Sequence, residues 1–160
     1  MIRPKTIFLA TKNQHKLTEL KDLLSALIPD PPQLLSAFDV DPHGEVEESG
    51  DTFYENALIK ARALQALVPE GSWVLADDSG LCVDALDGAP GVYSARYSGI
   101  QGDDAGHNQK LLKTLSQVSD RSASFLCCLV LLDSGGRPHE FYGQCHGRIA
   151  TKASGANGFG

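Results

Sequence analysis

Apolar residues recur along the chain at two spacings, and each spacing predicts a type of element. Residues 6–10 (TIFLA) form a short β-prone run that reads as a buried strand. From Asn13 to Ile28, leucines at 17, 20, 23, 24 and 27 repeat at intervals of three and four, the signature of an amphipathic helix. Pro29, Pro31 and Pro32 stop it. Residues 33–37 predict a second strand. Residues 39–51 are polar and acidic, after which Thr52 and Glu55 form a capping box opening a helix with Phe53, Ala57, Ala61, Leu64 and Val68 on one face. On another face Asn56 and Lys60 lie one turn apart. Residues 73–76 are strand-like, and Asp77-Asp78-Ser79-Gly80 is expected to interrupt them before residues 81–86 resume. Residues 103–118 predict a helix resting on Leu111, Leu112 and Leu115. Residues 125–132, the most apolar run, predict a central strand, and residues 139–149 its hairpin partner across a turn at Gly135-Gly136. Strands mixed with helices predict an α/β (α+β) fold with a mixed sheet.

Composition narrows the classes. The chain has 160 residues, enough for one domain with a real core. The net charge of −6 argues against a binder of polymeric nucleic acid, which needs a basic face. A small anionic substrate stays open if a metal ion and a few lysines supply local positive potential. No apolar run approaches the roughly 18 residues that cross a bilayer. No signal-peptide pattern is seen either, so a cytoplasmic protein is expected. Cys82, Cys127, Cys128 and Cys145 form no C-x-x-C pair, which predicts buried reduced thiols rather than zinc ligands.

Five segments carry candidate chemistry. Ala10 to Lys16 (ATKNQHK) joins a strand to a helix, and a helix N-terminus with Thr11, Asn13 and Lys16 around it can accept phosphate. It also reads as an ordinary cap with exposed lysines, and it is not a Walker A loop. Asp77 and Asp78 follow an apolar strand, where paired carboxylates suit magnesium, which takes one or two of them and keeps its waters. A plain β-turn explains the same residues. A glutamate of the acidic loop could complete a metal shell, or the loop is simply solvated. Lys60 matters only if its helix lies over a cleft. Arg96 could hold a phosphate, a carboxylate or its own turn.

Three stretches, FLATKNQHKLTEL, EESGDTFYENALIKA and ADDSGLCVDALDGAPGVYSARYSG, together with SGANGFG, closely resemble the inosine triphosphate pyrophosphatase family. That resemblance spans essentially the whole chain. It implies an elongated mixed sheet flanked by helices, with two lobes around a nucleotide-binding cleft, and a homodimer. It implies hydrolysis of non-standard purine nucleoside triphosphates such as ITP, dITP and XTP to a monophosphate and pyrophosphate, which cleanses the nucleotide pool. The turn of Thr11, Lys12, Asn13, Gln14, His15 and Lys16 would then hold the triphosphate. Asp78 would be the catalytic carboxylate and a ligand of Mg²⁺ or Mn²⁺, with Glu47 or Glu48 as its partner and Asp77 as a second candidate to orient water. Lys60 would face the phosphates, Ser79 would touch the substrate, and Phe159 would lie against the base.

Two departures from the family pattern stand out. His15 takes a position where a small residue is common. The sequence stops at Gly160, where the family continues into segments that supply base recognition. The expectation is one pyrophosphatase domain over residues 1–160 lacking that C-terminal part, with a non-catalytic nucleotide-binding fragment as the alternative.

Overall fold

A computed structural model describes residues 4–11 and 14–155 of the chain. The first apolar run becomes strand β1 (Thr6–Leu9), and helix α1 (Gln14–Leu27) follows it. Strand β2 (Gln33–Ser36) then pairs parallel to β1, with Thr6 opposite Gln33. Parallel neighbours need a long crossover, and α1 provides it. A four-residue helix α2 (Ala37–Val40) is boxed by Ser36 and Asp39. Helix α3 (Phe53–Gln65) starts at the Thr52–Glu55 capping box, with Thr52 Oγ1 accepting from Glu55 N at 3.1 Å.

Strand β3 (Trp73–Val83) pairs parallel to the other edge of β1, with Leu9 opposite Leu75. It runs unbroken through residues 77–80, against the expected interruption. Turn-forming residue types there are overridden because each aspartate meets a lysine, as described below, so the extended backbone can carry both. Beyond β3 come two 3₁₀ turns, Asp84–Leu86 and Gly91–Arg96, then helix α4 (Asp104–Thr114). Strands β4 (Ser122–Leu132) and β5 (Pro138–Arg148) complete a five-stranded sheet of order β2-β1-β3-β4-β5. Only residues 133–137 join β4 to β5, too few for a parallel crossover. That pair is therefore an antiparallel hairpin, and the sheet is mixed.

The chain divides into two compact units, Met1–Asp78 with Cys128–Phe141 and Ser79–Cys127 with Tyr142–Gly160. In the first, strand alternation sends side chains to two cores. Ile7, Leu9 and Leu34 pack with Leu17 of α1, joined by Leu20, Leu24, Trp73 and Leu75. On the opposite face Val74, Ala76, Cys128, Val130 and Leu132 pack with Ala57, Ala61 and Leu64 of α3. Both alanines are fully buried, so α3 sits close to the strands. Leu23 and Leu27, expected in the buried stripe of α1, are exposed because they lie on its flank, beyond the sheet's reach. The second unit is built on Val83, Leu111, Leu115 and Ala123. Arg121 fastens it by donating to the carbonyls of Leu115, Ile149 and Ala150 at 2.7–2.8 Å. Strand β5 is the sheet's edge and is exposed along most of its length, which leaves Cys145 exposed rather than buried.

Candidate active site

The site lies where the parallel strands end. β1 stops at Leu9, opposite Leu75, and Ala10 N still donates to Leu75 O at 2.7 Å before the chain turns into α1. β3 continues past that point and carries Asp77 and Asp78. Successive strand residues face opposite sides, so the two carboxylates part. Asp77 falls on the α1 face and forms a salt bridge with Lys16 of that helix. Asp78 falls on the α3 face and accepts from Lys60 Nζ at 3.2 Å. Each carboxylate is buried, each is matched by a lysine from the helix packed over its own face, and the pair is not one chelate for a shared cation.

Lys60 also donates to Glu48 Oε1 at 3.0 Å, so its ammonium bridges Glu48 and Asp78. Glu48 arrives there because its loop is tied to α3. Gly50 N donates to Asn56 Oδ1 at 2.8 Å, and Asp51 N and Thr52 N both donate to Glu55 Oε2. Only glycine fits at position 50: a Cβ would come within 2.6 Å of Glu55 Cβ and 2.8 Å of Asn56 Oδ1. Asn56 is fully buried one turn before Lys60.

Burial raises the pKa of Asp78, and the nearby Glu48 charge adds to that, while the Lys60 charge and its hydrogen bond, and the Asn56 amide, offset only part of it. Lys60 is raised above 10.5: burial opposes its charge, but Asp78 and Glu48 together outweigh burial. Lys60 is therefore an ammonium at neutral pH. Two buried side-chain atoms, Asp78 Oδ2 and Asn56 Nδ2, have no hydrogen-bond partner among the described residues. The amide stands beside the carboxylate, short of hydrogen-bond geometry, yet close enough to favour its ionised form. A buried acceptor left open in this way costs stability and is available to a ligand.

Of the residues singled out in the sequence, Asp78, Glu48 and Lys60 meet directly, and Lys16 and Asp77 meet on the other face. Glu47 is exposed, whereas its neighbour Glu48 turns in to Lys60. Thr11 is half-buried at the end of β1, with its N–H on Leu9 O at 2.8 Å. Gln14 is the exposed first residue of α1. Ser79 follows Asp78 in β3, half-buried. Lys12, Asn13, Phe159 and the side chain of His15 lie outside the described residues. Arg96 stacks on Tyr93, its guanidinium carbon 5.1 Å from the ring centroid. Asn56 had no assigned role in the sequence; its one signal was an amide four positions before Lys60.

Among the described residues no three His, Cys, Asp or Glu side chains cluster as a metal cage. Magnesium does not require one, since it binds through one or two carboxylates and keeps several waters. Asp78 and Glu48, held around one ammonium with an open carboxylate oxygen, fit that demand. Among the described residues no helix is long and apolar enough to cross a membrane.

An α/β sheet with carboxylate–lysine clusters at its parallel strand ends belongs to the class of proteins that bind ligands beyond the carboxyl ends of their strands. Residues 7–160 match the model of the Ham1 family, and the chain belongs to that family. It is 47% identical over 156 residues to a dITP/XTP pyrophosphatase of Geobacter sulfurreducens, covering 96% of this chain and 76% of that protein. It is 46% identical over 159 residues to a dITP/XTP pyrophosphatase of Treponema denticola, covering 96% and 77%. The fold superposes on the Staphylococcus aureus Ham1 protein with a TM-score of 0.84 at 39% identity, covering 98% of this chain and 78% of that one.

Proposed function

We propose that this protein hydrolyses non-standard purine nucleoside triphosphates, of the dITP, XTP and ITP type, to the nucleoside monophosphate and pyrophosphate, using Mg²⁺. The observation that carries this reading is the bridge of Lys60 between Asp78 and Glu48 in a chain so similar to dITP/XTP pyrophosphatases. Mn²⁺ is the alternative metal, and a homodimer is the proposed assembly on family resemblance.

In this reading the triphosphate lies over the strand ends. Lys60 supplies a fixed positive charge to phosphate oxygens, and Lys16, in the first turn of α1, supplies a second beside a helix N-terminus. A divalent cation on Asp78 and Glu48 would neutralise phosphate oxygens and ease attack on phosphorus. Asp78 orients a water and accepts its proton on the open Oδ2. The water oxygen bonds to the α-phosphorus, the bond from that phosphorus to the α–β bridging oxygen breaks, and pyrophosphate leaves with the bond's electrons. Fixed charges of this kind dominate phosphoryl-type transfers.

The test is incubation of the protein with Mg²⁺ and each of dITP, XTP, ITP, dGTP and dATP, with chromatographic identification of the products. Monophosphate and pyrophosphate from the first three, and far less from dGTP and dATP, is expected. Nucleotide binding without pyrophosphate release would overturn the reading and leave a nucleotide-binding protein.

A further inference from the structure

Asn56 is a buried polar residue with a divided hydrogen-bonding state. One end of its amide is used, since Oδ1 accepts from Gly50 N at 2.8 Å and so ties the Glu48 loop to α3. The other end, Nδ2, is buried without a partner, and the only other buried side-chain atom in that state among the described residues is Asp78 Oδ2. One is a donor and the other an acceptor, on adjacent elements of the same unit. An amide fully shielded from solvent is tolerated in a helix face made of Ala57, Ala61 and Leu64 only at a cost, because its unmet donor is not compensated by water. The bond to Gly50 uses only the oxygen of this amide, and a leucine has the same branched heavy-atom skeleton.

We propose that Asn56 is the positioning residue of this centre: Oδ1 fixes the loop that presents Glu48, and Nδ2 supplies a buried, unpaired donor beside the Asp78 carboxylate. This rests on the proposed function. Asn56 does not touch the reacting atoms. Asp78 Oδ1 is held by Lys60, while Gly50, which must lack a Cβ, makes the close approach of the loop possible.

The isosteric Asn56→Asp separates the two ends. It retains an acceptor for Gly50, so the loop stays, but it replaces the unpaired donor with a second carboxylate. The expected result is a fall in kcat of about tenfold or more, with nucleotide KM within about threefold of wild type. A readout without substrate is the thermal midpoint with Mn²⁺ alone. The added carboxylate, sited beside Asp78, makes the Mn²⁺-induced rise larger than in the wild type. Wild-type kcat, or an Mn²⁺-induced rise equal to wild type, overturns the proposal. If Asn56→Asp does not fold, the neutral near-isostere Asn56→Leu takes its place: the expected result is a kcat loss of about tenfold with a retained fold, and full activity overturns the proposal. Failure of the underlying reading looks different. In that case Asp78→Asn keeps wild-type turnover and the wild type shows no Mn²⁺-induced rise.

Discussion

Asp77 and Asp78 are neighbours in β3 yet face opposite sides of the sheet, Asp77 on Lys16 of α1 and Asp78 on Lys60 of α3. Adjacent in sequence, they are expected to separate in function. Asp78→Asn removes the proton acceptor and should lower kcat by about 100-fold or more. Asp77→Asn removes the charge paired with Lys16 and should chiefly raise nucleotide KM, by about tenfold, with kcat nearly kept. Steady-state kinetics of the two variants with dITP checks this; equal losses of kcat in both would contradict the division.

Lys60 holds two carboxylates together in a buried place. Lys60→Met removes the ammonium that Asp78 and Glu48 share, and breaking a buried pair in this way costs about 3–5 kcal/mol. Turnover should fall about 100-fold, in line with loss of one fixed donor at a developing charge. Urea denaturation and turnover assays measure the two effects. A variant as stable as the wild type would show that the bridge is not formed in solution.

Gly50→Ala should expel the acidic loop from α3, since the new Cβ would collide with Glu55 Cβ and Asn56 Oδ1. Faster amide exchange at residues 48–52, seen by hydrogen–deuterium exchange, is the expected outcome, together with a loss of turnover. Unchanged exchange would mean that the loop accommodates the methyl group.

In the second unit, Leu115→Ala should cost about 2–5 kcal/mol by opening a cavity at a fully buried position. Arg121→Lys should cost about 1–3 kcal/mol, because an ammonium cannot span the three carbonyls that the guanidinium fork reaches. Denaturant titration checks both values.

Much of the fold was legible in the sequence because it rests on short-range patterns. The three-and-four spacing of leucines gave α1, the Thr52–Glu55 box gave the start of α3, and the apolar run before Gly135-Gly136 gave the hairpin. What was not legible depends on partners far along the chain. Asp-Asp-Ser-Gly has the composition of a turn, and only the lysines at positions 16 and 60 let it remain a strand. Once that continuity is known, the period of two separates Asp77 from Asp78 at once. Glu47 and Glu48 are chemically alike, and what turns Glu48 inward is a hydrogen bond from Gly50 to Asn56, a tertiary contact no local pattern reports.

The hairpin turn offers a pH test away from the site. Asp133 accepts from His139 Nε2 at 2.9 Å and from the N–H groups of Gly135 and Arg137. The His139 bond first, then the backbone donors, hold its pKa below 3.8. A carboxylate depressed on folding adds stability above its unfolded pKa and loses it as pH falls through the folded value. Asp133→Asn should therefore weaken the acid-side decline of stability, below about pH 4. Thermal midpoints of both proteins between pH 2 and 6 would show it; parallel curves would contradict it.

Where the water oxygen goes is the most direct test of the chemistry centred on Asp78. Hydrolysis of dITP in ¹⁸O-labelled water, followed by mass spectrometry of both products, should place the label in the monophosphate and none in the pyrophosphate. Label in the pyrophosphate, or release of single phosphates, would contradict attack at the α-phosphorus.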